Sequence, residues 1–591
     1  MSEQSNSLVI NKTRNGSIML RSLQKPPLLQ MSREALKIVI VGGVAGGMSA
    51  ATRARRLNEA ASIKVFERGP YVSFANCGLP YALGEVIKDT DSLLLQTPES
   101  IKRRFNIDVE INTEVLSIDR RNLTVDILKD TNDTRKVSYD KLILALGAEP
   151  WQPQIEGLSA YHVFTLHTIP DLESVRDFIS KNKPKRATVI GGGFIGLEAA
   201  ENLQNLGLEV SILEYASQVF LPVDSNIATH LHDEIRKQNV KLFLNARIQS
   251  VKAPSAEYPG AVILQDGTSV PTDLVLAVTG SRPRTELARQ AGLELNEKAG
   301  GVAVNPYMQT SDPNIYAVGD MVAAHHRISS TTSPLLLAGP ANRQGRLAAD
   351  HIFGRRRIYK GNVGTSVCKV FDLTAGSVGL SVRALRALGK DPQYITVHPP
   401  HHAGYYPGAQ NVTMKLVFEK MTGKILGAQA VGKAGVDKRI DILATAIQGG
   451  ISVFDLEDLE LGYAPPFGSA KDVVNMAGFV ACNVMRGDVE IIHEEDMEKE
   501  MENGTNFVDV RSRMEFMRGH VKGAVNIPVD ELRARVGELD IRKRTVVYCW
   551  VGYRGYLAYR ILKQHGFESV VNLDGGLKNV VEGGLVRLLG E

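Results

Sequence analysis

Cysteine is scarce in this chain: four residues among 591, at positions 77, 368, 482 and 549. No two of them form a CxxC pair, so neither a disulfide framework nor a zinc site is indicated, and no metal is expected. Thiols this few and far apart fit a reducing cytoplasm. Long apolar runs are missing as well. No stretch of 18 apolar residues occurs, which argues against a membrane-spanning helix. Residues 1–30 are polar and lack the apolar core and small-residue cleavage site of a signal peptide. With Met31 just before the first expected strand, that segment reads as an extension or an upstream start. Neither charge sign is in excess, since 69 Lys and Arg against 65 Asp and Glu leave +4. So weak a field gives no ground for expecting nucleic acid or an anionic membrane as partner.

Glycine, by contrast, is abundant, with 54 residues. A chain of this length exceeds what one hydrophobic core supports, so three or four Gly-rich α/β domains are expected. The stretch "KIVIVGGVAGGMSAATRARR" gives a β-branched run, a glycine turn and an Ala/Arg-rich helix over Met48–Asn58. Gly42, Val44 and Gly47 occupy the positions of a GxGxxG fingerprint, with Gly43, Ala45 and Gly46 between them. Such a turn lets backbone amides at a helix N-terminus meet a pyrophosphate. After the strand "SIKVFE", Glu67 is placed for a ribose hydroxyl pair. A second unit, "ATVIGGGFIGLEAAENLQNLGLEVSILEY", carries Gly191-x-Gly193-x-x-Gly196 and ends on Glu214. An acid there followed by Tyr215, not Arg, favours NADH over NADPH.

Two fingerprints, "YDKLILALGAEP" (139–150) and "NIYAVGDM" (314–321) together resemble the two-dinucleotide flavoprotein disulfide reductases over roughly residues 37–480. The resemblance implies an FAD domain split by an inserted NADH domain, then a dimerisation domain. It implies that Asp320, after Gly319, meets the ribityl chain of FAD. It extends the cofactor contacts to Arg68, Ser73, Asn76, Gly147, Pro340 and Ala341.

Common members of that family carry a CxxxxC against the flavin. Here "SFANCGLPY" offers Cys77 alone, between Asn76 and Gly78 in a polar segment. This resembles the one-cysteine branch of coenzyme A disulfide reductases, NADH oxidases and NADH peroxidases, in which one sulfur cycles as a mixed disulfide or a sulfenic acid. The first helix has no histidine, which disfavours the oxidase and peroxidase. "HPPHHAGYYPGAQ" and "GYAPPFGSAKDVVN" look like the two tyrosine segments of coenzyme A disulfide reductases. The matching residues are Tyr405 or Tyr406, and Tyr463, expected to reach Cys77 from the partner subunit of a homodimer. A helix N-terminus is expected to help hold the Cys77 thiolate. Arg53, Arg55 and Arg56 are placed to meet coenzyme A phosphates, with solvation as the plainer reading.

Past "HEEDMEKEMENG", read as a linker with a short helix, the chain resembles a rhodanese domain. "TVVYC" delivers Cys549 to a strand end, and a loop runs to a helix expected over Tyr556–Gln564. Amides pointing into that loop would stabilise a thiolate or persulfide, and Arg554 adds charge. Asp509 and Arg511 read as structural partners, His520 as a packed loop residue, and Cys368 and Cys482 as core.

The expected fold is therefore α/β, with two Rossmann-like dinucleotide-binding domains for FAD and NADH, an α+β dimerisation domain and a C-terminal rhodanese-like α/β domain. The expected layout is an extension expected to be disordered (1–36), FAD domain (37–148), NADH domain (149–277), FAD domain resumed (278–355), dimerisation domain (356–482), linker (483–499) and rhodanese domain (500–591). Fusing a rhodanese loop to a one-cysteine flavin site points to NADH-driven reduction of persulfides, polysulfides, or coenzyme A persulfide or disulfide. Coenzyme A would serve as bound or attached thiol carrier. The alternatives are a coenzyme A disulfide reductase for thiol balance, an NADH oxidase or peroxidase, and a rhodanese unit that only binds.

Overall fold

The computed structural model describes residues 8–12, 18–22, 35–130, 133–255 and 259–590. Strands Leu8–Lys12 and Ile18–Ser22 pair antiparallel. The rest of the expected disordered extension up to residue 34 lies outside the described residues.

Buried β-branched strands with helices between them read as parallel sheet, and two such sheets form the body. The first orders Ile315–Ala317, Lys141–Leu144, Lys37–Val41, Ser62–Phe66 and Asp108–Glu110. The second orders Val163–Phe164, Leu274–Ala277, Arg186–Ile190, Glu209–Leu213 and Lys241–Phe243. The two passages between them, Ala148–Pro150 and Ser281–Pro283, pair antiparallel, so the second domain hangs from the first on a two-stranded ribbon. A third sheet, Ser366–Val370 to Ile425–Gly432, is antiparallel and packs beneath the helices Val436–Gly449 and Val473–Met485. A fourth, parallel sheet of five strands closes the chain. Among the described residues no helix is long and apolar enough to cross a membrane.

The segment 483–499 is not a free tether. Ile491–Ile492 is a strand of the fourth sheet. Glu494 is buried and accepts from Asn226 at 2.9 Å, while Glu495 takes both guanidinium nitrogens of Arg386. The C-terminal domain is thus docked on the body through polar contacts. His398 Nε2 lies 3.0 Å from Asn579 Oδ1, and the Thr396 amide donates to Asp574 at 3.1 Å. Further along the acidic run Glu498 and Glu500 pair with Arg587 and Arg544 of the C-terminal domain itself.

Candidate active site

The first parallel sheet ends in a cavity of about 840 Å³. Its floor is the glycine turn after Lys37–Val41. Gly42 sits at φ +106°, and a Cβ there would stand 2.2 Å from the Ala145 carbonyl oxygen. A Cβ on Gly47 would stand 1.9 Å from the Gly42 oxygen. Only glycine permits this closure, which sets the helix Ala45–Leu57 with its N-terminus on the cavity. Glu67 ties the turn from both sides, accepting from the Gly43 amide at 2.7 Å and the Gly69 amide at 2.8 Å. Arg68, Asn76, Gly147, Gly319 and Ala341 line the same space. Asp320 lines the same space with no cation beside it among the described residues, and burial pushes its carboxyl up to about 6. A carboxyl left without a partner beside a glycine cradle fits the hydroxyls and pyrophosphate of FAD.

Cys77 lines the same cavity, in a short turn Asn76–Gly78 that follows a left-handed Ser73 (φ 54°). Its sulfur contacts Asn76 Oδ1 at 3.8 Å. Cys77 lies just before the five-residue helix Leu79–Leu83; burial, Glu198 and Asp320 raise its thiol, and a backbone hydrogen bond at Cys77 acts the other way.

The second fingerprint repeats the first. Gly191 is at φ +113°, and a Cβ on Gly196 would lie 1.9 Å from its oxygen. Glu214 accepts from the Gly192 amide at 2.6 Å and the Ala216 amide at 2.7 Å. Gly193, at the N-cap of Phe194–Asn205, has nothing within 4 Å of where a Cβ would be, leaving its face open to a second dinucleotide.

In the closing domain Cys549 ends the strand Thr545–Tyr548 and is buried. Gly552, at φ +95°, turns the chain directly into the helix Tyr553–Gln564, three residues earlier than the sequence suggests. Arg554 therefore lies in a helical first turn, where Glu515 takes it in two bonds of 2.7 and 2.8 Å. That pairing holds the Glu515 carboxyl down at about 2. Cys549 is a second neighbour of the same guanidinium.

Comparison with known proteins agrees with this geometry. Residues 36–344 match the model of the pyridine nucleotide-disulphide oxidoreductases, residues 365–473 that of their dimerisation domain and residues 493–582 that of the rhodanese-like domain. The chain is 35% identical to the coenzyme A disulfide reductase of Staphylococcus haemolyticus over 75% of its own length and 99% of the relative's. The chain belongs to the pyridine nucleotide-disulphide oxidoreductase family. Among solved structures it resembles reduced CoADR-RHD from Bacillus anthracis, with TM-score 0.92 and 44% identity over 94% of this chain and 99% of that one. It also resembles a NAD-dependent persulfide reductase from A. fulgidus, with TM-score 0.85 and 36% identity over 92% and 100%. The family implies FAD and a nicotinamide dinucleotide.

Within this family frame, several expected residues lie off the cavity wall. Gly43, Gly47, Ser73 and Pro340 are not lining residues; the two glycines shape the turn and the Ser73 amide braces it through the Gly43 oxygen at 2.8 Å. Arg53 is committed to buried Asp350 at 2.6 Å, and buried Arg55 donates to the Phe105, Asn58, Glu59 and Asn106 carbonyls. Of the three helix arginines only Arg56 stays on the surface. Tyr405 and Tyr463 are exposed and hold their hydroxyls 2.8 Å apart, whereas Tyr406 sets its ring edge-on to His402 at 5.6 Å. None of the three lines this chain's cavity. Arg511 grips Asp509 and the Gly519 carbonyl, and His520 stacks on Phe516 at 3.7 Å. Cys368 and Cys482 are buried. Sequence reasoning missed Glu515, because its partner, Arg554, is distant in sequence.

Proposed function

We propose that this chain is an FAD-dependent, NADH-driven reductase of sulfur–sulfur bonds, acting on persulfides, polysulfides and coenzyme A persulfide or disulfide. The observation that carries the reading is a lone thiol, Cys77, on the wall of the cavity that Asp320 and the glycine turn prepare for a dinucleotide. With no second cysteine beside it, the sulfur takes its disulfide partner from the substrate. As a thiolate, Cys77 attacks R–S–SH to give Cys77–S–S–R and hydrosulfide. FAD held by the glycine turn and Asp320 would supply, once reduced by NADH, the electron pair that returns this mixed disulfide, with one proton, to the Cys77 thiolate and RSH. Asn76, beside the sulfur, orients it.

The relatives named above for coenzyme A disulfide and persulfide reduction support this substrate class. The matched dimerisation domain supports a homodimer, in which Tyr405 and Tyr463 of one subunit face Cys77 of the other. Their hydroxyl pair would protonate the leaving thiolate. Coenzyme A serves as the thiol carrier between the two domains, and Cys549 presents sulfane sulfur to it. A substrate panel tests the reading: NADH oxidation with coenzyme A disulfide, glutathione persulfide and polysulfide, with sulfide assayed in parallel. Sulfide release coupled one to one to NADH with a persulfide supports it. NADH consumption that follows oxygen with no sulfide would replace it by the oxidase.

A further inference from the structure

Tyr405 and Tyr463 stand on two long connections. One runs between the strands Gln393–Val397 and Val412–Phe418, the other between the helices Val453–Leu456 and Val473–Met485. Neither connection contains a helix or a strand. An exposed hydrogen bond between two phenols is a weak clamp, because water competes for both hydroxyls. The alignment of the pair must therefore be set from within the domain.

Arg439, on the helix Val436–Gly449, is 1% exposed and reaches both connections. Its Nη2 donates to the His401 carbonyl, four residues before Tyr405, at 2.6 Å, and to Asp472 Oδ2, also at 2.6 Å. Nε donates to Asp472 Oδ1 at 3.2 Å and Nη1 to the Gly435 carbonyl at 3.1 Å. Asp472 closes the second connection as the N-cap of Val473–Met485, accepting from the Val474 amide at 3.1 Å. The two connections also meet main chain to main chain, where the Ala403 amide donates to the Gly468 carbonyl at 2.9 Å. Gly435, at φ +72°, makes room for the guanidinium, since a Cβ there would stand 2.4 Å from Arg439 Nη1.

A buried ion pair is a poor stabiliser, and an apolar pair of similar volume often serves a fold as well. An apolar pair could not take a carbonyl of one connection while holding the cap of the other. A planar fork of donors does both, in a geometry an ammonium cannot repeat.

We infer that Arg439, through Asp472 and the His401 carbonyl, is a positioning residue: it aligns the two connections so that the Tyr405 and Tyr463 hydroxyls meet and offer their proton to the leaving thiolate. Arg439 acts only through the tyrosines. The inference rests on the reading of that pair as the proton donor.

The test is steady-state NADH oxidation with coenzyme A disulfide by the full-length, FAD-loaded protein, with Arg439→Lys made in wild type and in the Tyr405→Phe/Tyr463→Phe background. In wild type it should lower kcat about tenfold with KM within about twofold, since misplacing a group by ~1 Å costs up to ~100-fold. In the Tyr405→Phe/Tyr463→Phe background it should change kcat by less than about twofold, because no donor remains to be aligned. A merely structural role would lower kcat by the same factor in both backgrounds. That parallel loss overturns the inference, as does wild-type turnover in Arg439→Lys. Should Arg439→Lys fail to fold, Arg439→Met/Asp472→Asn, which leaves no buried charge and keeps an N-capping side chain, goes through the same cycle with the same two outcomes. Wild-type kcat in Tyr405→Phe/Tyr463→Phe alone would remove the tyrosines as proton donor and the inference with them, a failure told apart from that of Arg439 itself.

Discussion

Tyr405 and Tyr463, 58 positions apart, meet hydroxyl to hydroxyl at 2.8 Å on an exposed face, while the adjacent Tyr406 turns to His402 instead. Two phenols in one hydrogen bond act as a unit, so their losses should not add. Tyr405→Phe and Tyr463→Phe are each expected to lower kcat with coenzyme A disulfide about 100-fold, the scale of general acid catalysis. The double variant should match the singles. Tyr406→Phe should stay within about twofold. Steady-state NADH oxidation checks all four.

Asp320 has no counter-charge among the described residues, and burial raises its carboxyl to about 6. Hydrogen bonds to the hydroxyls of a bound FAD would stabilise it. Asp320→Ala should weaken FAD binding about 10- to 100-fold, the value of hydrogen bonds to a charged group at ~1.5–3 kcal/mol. Flavin fluorescence on titration of the apoprotein measures it. Unchanged FAD affinity would show that the cavity holds its ligand elsewhere.

Much of this was legible in the sequence, because it is written in backbone constraints. Gly42, Gly191 and Gly196 announce turns that no other residue closes, and Glu67 and Glu214 follow at the strand ends as expected. What the sequence hides is where charged side chains go. Arg53 and Arg55 sit on the first helix as if for phosphates, yet Asp350 and four carbonyls take them. Glu494 and Glu495 look solvated until two other domains supply Asn226 and Arg386. Arg554 reads as the cation of the sulfur loop and does neighbour Cys549, but its paired carboxylate, Glu515, lies 39 residues away in the sequence.

The Arg554–Glu515 pair gives a pH signature. Arg554 depresses the Glu515 carboxyl from 4.5 to about 2. A depressed carboxyl stabilises the fold above its unfolded pKa and loses that contribution as pH falls through the folded one. Glu515→Gln should melt about 1–4 °C below wild type at pH 7, modest because each side chain is one-third exposed. The gap should close as pH falls from about 4.5 towards 2, and calorimetry across that window reads it.

Cys549→Ser separates the two domains' chemistry. Cys549 is buried in its own domain and does not line the dinucleotide cavity. Reduction of coenzyme A disulfide should stay within about twofold of wild type. Sulfur transfer from thiosulfate should vanish. Full retention of sulfur transfer would reduce this domain to a binding module.

The most direct test is Cys77→Ser, assayed for NADH-driven sulfide release from a persulfide after FAD content is confirmed spectrally. The account predicts that bound flavin and NADH binding survive while sulfide release falls to background. Sulfide release at the wild-type rate would contradict it.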